Sequence, residues 1–176
     1  MAQSDDLSPA AAPFVLTAEL DGESFACLNE LRRRFYAPER NRVPAHLTLF
    51  HQLPAEHGRE VKALLRQVSS GKPVLEMDVG EVKFIGTGVA VFLRSPQLSA
   101  LREGLAREWW PWLTNQDRAG FRPHVTIQNK VGPAEARETQ RAVAATLRLT
   151  RLRGVGLHLW RYRGGPWEDV QLFRFS

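Results

Sequence analysis

Apolar positions along the chain fall into short dense runs and helical stripes, and the two kinds take turns in an order used twice. Phe14 to Leu20 reads as a strand, and Ser24 to Phe35 as a helix with Phe25, Leu28, Leu31 and Phe35 on one face. A second strand runs from His46 through Leu53, followed by a helix carrying Val61, Leu64, Leu65 and Val68. Farther on, Leu75 to Phe84 and Val89 to Arg94 predict a hairpin, and Pro96 opens a helix with Leu98, Leu101, Leu105 and Trp109. A strand from His124 comes next, and Pro133 opens another helix through Leu147. Leu157 to Arg163, Gly164-Gly165-Pro166 and Trp167 to Phe175 predict a closing hairpin that completes a sheet. Residues 1 to about 12, with Ser, Asp, Ala and Pro, read as a loose tail before a single domain over 13–176. The expected class is α+β: a strand, helix, strand, helix unit used twice, its halves paired about a pseudo-twofold axis.

At the heart of each half lies one tetrapeptide pattern. His46-Leu47-Thr48-Leu49 and His124-Val125-Thr126-Ile127 both read histidine, apolar, threonine, apolar, 78 positions apart. In a strand, residues two apart share a face, so each segment offers an imidazole and a hydroxyl on one side and two apolar groups on the other. The Cα atoms of such a pair lie roughly 6.6 Å apart, so both side-chain tips can reach one small group such as a phosphate.

Composition narrows the setting without choosing a substrate. The 176 residues, 43% of them apolar, suffice to bury a sizeable core. The longest apolar stretches, near Gly88 to Leu93 and Ala10 to Leu16, fall short of the roughly 18 residues a membrane span needs. Asp5 and Asp6 stand where a signal peptide would be positive, so a cytoplasmic protein with no membrane partner is expected. Cys27 is the only cysteine, which removes internal disulfides and thiolate zinc frameworks, and its helical setting reads as structural. A net charge of +5 favours a polyanion such as RNA, but arginine outnumbers lysine 20 to 4, a bias that a genome rich in G and C also produces.

Two histidines in one site make an acid and base pair. Imidazole titrates near 6.5, so one ring can accept a proton while the other donates one. A neutral imidazole activates water, a protonated one supplies the leaving oxygen, and threonine hydroxyls bond the non-bridging phosphate oxygens. With Pro44-Ala45-His46 and Arg122-Pro123-His124 flanking them, the paired motifs resemble those of the 2H phosphoesterase superfamily, in particular its bacterial 2′-5′ RNA ligase and RNA 2′,3′-cyclic phosphodiesterase branch. The resemblance spans nearly the whole chain. It implies a bilobal fold of two antiparallel sheets around a central cleft, with helices outside. It further implies His46 as proton donor to the leaving oxygen, His124 as the acceptor that activates water, and Thr48 and Thr126 as phosphate ligands. The implied activity opens an RNA 2′,3′-cyclic phosphate end to a 2′-phosphate without metal or cofactor, with 2′-5′ ligation sharing the same chemistry. The expected partner is RNA or a nucleotide with a cyclic phosphate end, and the expected state a monomer.

Residues near the motifs suggest further contacts. Phe50, two beyond Thr48, would stack a nucleobase or close the cleft floor, and Arg122 would reach a phosphate at the cleft mouth. Gln128 shares the face of His124 and Thr126 and suits a base or a sugar hydroxyl. Arg40 and Arg42 read as RNA-backbone contacts or solvated charges; Tyr162 reads as part of a stacking platform, and Trp160 as core packing. His51 falls on the opposite face from His46, His57 in a loop and His158 in the last hairpin, and each reads as an ordinary structural residue. Trp109, Trp110 and Trp112 read as packing around Pro111. No acidic residue or cysteine stands within either motif to complete a metal-ligand set, and Gly86-Thr87-Gly88 reads as a hairpin turn with no ATP dependence. A different reading is a protein that binds RNA ends, or a cyclic or 2′-5′-linked nucleotide, with little turnover; such a protein would be indifferent to His46→Ala.

Overall fold

A computed structural model describes residues 12–176. The strands are β1 (Phe14–Leu20), β2 (Leu47–Leu53), β3 (Leu75–Phe84), β4 (Val89–Arg94), β5 (His124–Gln128), β6 (Arg151–Arg161) and β7 (Glu168–Arg174). The helices are α1 (Gly22–Phe35), α2 (Gly58–Ser69), α3 (Pro96–Trp109), the short α4 (Asn115–Arg118) and α5 (Pro133–Thr146). Local chemistry sets their ends. Asp21 caps α1 by accepting from the Ser24 amide at 3.0 Å, with Glu23 in the first turn and Arg32, Arg33 and Arg34 in the last, as the helix dipole favours. Ser95 caps α3, and Pro96 occupies its first turn.

Among the described residues all strands join one antiparallel sheet in the order β2-β1-β6-β3-β4-β5, with β7 also on β6. The two expected sheets are thus continuous, and β6 is the shared strand. It starts six residues earlier than its sequence pattern suggests, because Arg151 to Gly154 pair with β3 before the strand continues along β1 and β7. The sheet curls until β2 and β5, the two ends of its order, touch each other. A continuous core fills the fold, drawing Leu16, Leu47 and Leu49 from one half and Val91, Val125 and Ile127 from the other. Helix α1 packs on β5 and β6, α2 on β6 and β7, and α5 on β3 and β4, so the first helix of the chain supports the second motif strand.

Two glycines of the β3–β4 turn are required by geometry. Gly86 has φ +87°, and a Cβ on Gly88 would run into the Gln128 carbonyl as β5 passes alongside. The expected tail lies outside the described residues up to position 11, and Ala12 is already buried. No helix among the described residues is long and apolar enough to cross a membrane.

Candidate active site

The two motif histidines are held in the same way. His46 Nδ1 lies 2.8 Å from the Pro44 carbonyl, and His124 Nδ1 lies 2.8 Å from the Arg122 carbonyl. A carbonyl only accepts, so each Nδ1 carries a hydrogen and donates it, which leaves each Nε2, on the far edge of the ring, as the nitrogen that can accept or give a proton. With β2 and β5 in contact, both imidazoles and both hydroxyls, of Thr48 and Thr126, line one pocket of about 330 Å³. His51, Tyr162, Trp167 and Val15 complete its lining.

The surroundings of the two rings differ. The Trp167 ring packs against His46 at 4.6 Å, and Phe92 stacks under His124 at 5.1 Å. Burial is the chief cause that lowers the pKa of His46 to about 4; the Pro44 hydrogen bond works the other way, and the charges of Arg32, His124 and His51 deepen the lowering. In the free protein, therefore, His46 is neutral near pH 7. Arg32 is the strut of the site. Buried in α1, it donates from Nε to Asn41 Oδ1 at 2.9 Å and to the Val43 carbonyl at 3.1 Å, and from Nη1 to the Thr126 carbonyl at 2.7 Å. One guanidinium thus ties the approach to the first motif to the backbone of the second.

Both motif strands leave regular pairing at the same point. On β2 the partners step from Thr17 with Thr48 to Leu16 with Phe50, and on β5 from Ala90 with Thr126 to Val89 with Gln128. One extra residue enters each time, a β-bulge, and the next side chain changes face. This corrects two expectations. Phe50 is fully buried, edge-on to Trp109 at 5.2 Å and beneath the Arg102 guanidinium, so it contacts no substrate. Gln128 is buried as well, with its Nε2 donating to the Phe35 carbonyl and to Glu135 at 3.4 Å. Arg122, expected at the cleft mouth, is not in the lining of this pocket; it lines an adjoining hollow with Val79, Lys83 and Phe92, the ring that stacks under His124.

The same bulge that removes Phe50 brings His51 into the pocket, against the strand-parity expectation. Its ring is pinned by Asp117 of α4, with Nδ1 3.0 Å from Oδ1. The carboxylate also accepts from the His51 and Gln52 amides, while Arg102 donates to the Leu49 carbonyl at 3.1 Å and to the Asp117 carbonyl. Backbone groups that the bulge removes from the ladder are thus satisfied by two buried side chains. Burial favours the neutral Asp117 carboxyl, but the His51 and Gln52 hydrogen bonds outweigh it and hold the group below the usual carboxylate range.

Beyond Trp167 a larger hollow of about 640 Å³ shares His46 with the pocket and is lined by Phe25, Arg42, His158 and Trp160. His158 stacks on Trp160 at 3.7 Å and bridges Glu19 and Asp169, while Trp160 donates to Thr17 Oγ1 at 3.0 Å. Trp160 is therefore a wall of this hollow more than core packing, and Tyr162 is exposed at the histidine pocket. Arg40 donates to the Lys130 carbonyl at 2.9 Å, and His57 stacks on Trp112 at 3.9 Å, both outside the pocket. Burial and the Glu23 charge raise the Cys27 thiol, against a nucleophilic role. Among the described residues no three His, Cys, Asp or Glu side chains are gathered in a metal-holding set.

No curated protein matches the chain. Among solved structures, TT0787 of Thermus thermophilus matches with a TM-score of 0.62 at 16% identity, over 93% of this chain and 97% of its own. LigT of E. coli, complexed with 3′-AMP, gives 0.62 at 17% identity over 94% and 99%, and a protein described as a phosphoesterase gives 0.59 at 18% over 94% and 99%. These likenesses establish the fold, in line with the resemblance to 2H phosphoesterases. The family model described as the 2′-5′ RNA ligase superfamily matches residues 19–166, and the chain belongs to that superfamily.

Proposed function

We propose that this protein opens RNA 2′,3′-cyclic phosphate ends to 2′-phosphates without metal, using His46 and His124 as acid and base. The observation that carries the reading is the convergence of two identically held imidazoles and two hydroxyls on one pocket. His124 Nε2 takes a proton from water as its oxygen attacks phosphorus. The bond from phosphorus to the 3′ oxygen breaks, and His46 Nε2–H gives that oxygen its proton. Thr48 and Thr126 donate to the non-bridging oxygens as charge gathers on them. His46 is neutral in the free protein, so its role as donor depends on the bound phosphodiester, whose negative charge favours the imidazolium. The larger hollow, with Trp160, Trp167 and Arg42, gives the rest of a nucleotide aromatic faces and a cation. LigT, of similar fold, has been crystallised with 3′-AMP and with NADP+, which supports a nucleotide ligand. Joining of 2′-5′ ends is the same path with a 5′-hydroxyl attacking phosphorus in place of water, the bond to the 3′ oxygen again breaking.

The test is a short RNA ending in a 2′,3′-cyclic phosphate, incubated with the pure protein in excess EDTA beside His46→Ala and His124→Ala, with 2′- and 3′-phosphate products resolved. Conversion to the 2′-phosphate by wild type alone supports the reading. A folded wild type that binds the RNA and leaves it intact would favour the binding role instead.

A further inference from the structure

We propose that His51 is a third substrate-binding histidine, donating from Nε2 to a non-bridging oxygen of the phosphate held between His46 and His124, with Asp117 fixing its ring. The inference rests on the reading of this pocket as a phosphoester site and adds a third imidazole that holds the phosphate there.

Placement is the first support. The bulge at Leu49 and Phe50 turns His51 into the pocket that also holds Thr48 and Thr126. Its side chain is 46% exposed while that of its partner Asp117 is 1% exposed, so one edge of the ring is anchored in the protein and the other is open. Chemistry is the second. A carboxylate that already accepts from the His51 and Gln52 amides takes the Nδ1 hydrogen and leaves Nε2 for a ligand, and a phosphate bound there would set the ring between two anions, the arrangement in which Nε2 donates. The third support is charge. Among the described residues lining the pocket there is no lysine or arginine; His46, His51 and His124 are its basic groups. If two of them exchange one proton during turnover, His51 is the imidazole left to donate to a phosphate that gains charge as it is hydrolysed. It fills the part expected of Arg122, which the fold places elsewhere.

Asp117 acts through His51 and is a positioning residue. His51→Phe keeps a planar ring and removes the donor, His51→Gln restores a donor near the position of Nε2, and Asp117→Asn removes the charge behind the ring. Binding of inorganic phosphate, followed by calorimetry with 31P NMR, should weaken roughly tenfold to a hundredfold in His51→Phe, in the range of a charged hydrogen bond. His51→Gln should recover part of that loss, and Asp117→Asn should add nothing once His51 is Phe. With the cyclic phosphate RNA, His51→Phe should raise KM more than it lowers kcat, measured below the melting temperature of the variant. Phosphate affinity equal to wild type in a folded His51→Phe, or no phosphate binding by wild type, overturns the proposal. Turnover of the RNA beside unchanged phosphate affinity would leave the proposed function intact and remove His51. His51-dependent phosphate binding with no turnover would do the reverse.

Discussion

The two motif strands follow one course for five residues and then part. Each is led by a histidine pinned by the carbonyl two residues before it, presents a threonine to the pocket, buries two flanking apolar residues, and bulges so that the fifth side chain enters the core. β5 ends there, at Gln128. β2 runs on and carries His51 into the pocket, its bulge held by Arg102 and Asp117. Shared features are those a minimal acid and base site on a phosphate needs. The added ones are confined to the strand with room to continue.

If the strands share the chemistry, His46→Ala and His124→Ala should each lower kcat/KM by about 10²–10⁴-fold, and the double variant should fall little further, since the rings act as a unit. A full multiplicative loss in steady-state assays would break the equivalence. Arg32→Ala tests the strut that both strands use. Loss of its hydrogen bonds should lower stability by about 2–3 kcal/mol in denaturant titrations and reduce turnover with either strand's histidine intact. The two rings should also separate by pH. NMR titration should find His46 at about 4 in the free protein, moving up when inorganic phosphate is added. The unfolded chain titrates near 6.5, so between these values it binds more protons than the native state, and stability rises with pH across that window. It should be fully present above 6.5 and fall toward pH 4 by at most about 1.4 kcal/mol per pH unit, a slope that His46→Gln removes. Thr48→Val and Thr126→Val should each cost roughly tenfold in kcat/KM, one neutral hydrogen bond apiece, and a large inequality would show that the phosphate leans on one strand. Smallest of all, Arg122→Ala should change kcat/KM by less than about twofold, as an exposed residue outside the pocket.

The elements themselves were legible because their signals are local. The helical stripe of Leu28 and Leu31, the Ser95-Pro96 start of α3 and the glycines of the β3–β4 turn depend on neighbours a few residues away. The same holds for the pairing of histidine with threonine, which strand parity puts on one face. Parity then misled beyond the threonines. Counted by twos, Phe50 and Gln128 face the pocket and His51 faces away; one residue inserted just after each threonine reverses all three. Little within β2 marks the bulge, since the groups that stabilise it, Arg102 and Asp117, come from elements more than fifty residues later. A run of Leu49 and Phe50 followed by two polar residues is its one faint local trace. Trp167 escaped notice for a similar reason, because the turn that swings it onto His46 is set by pairing of β6 with β7.

By itself, then, the sequence determined the kinds of elements, their order and the two histidine and threonine pairs, all set by backbone propensity and the two-residue period of a strand. Tertiary structure alone decided that β2 and β5 meet, that His46 packs against Trp167 while His124 rests on Phe92, and that His51 rather than Phe50 or Arg122 lines their pocket. Sheet curl and bulges depend on which distant groups satisfy the backbone, and that is known only once the chain has closed on itself.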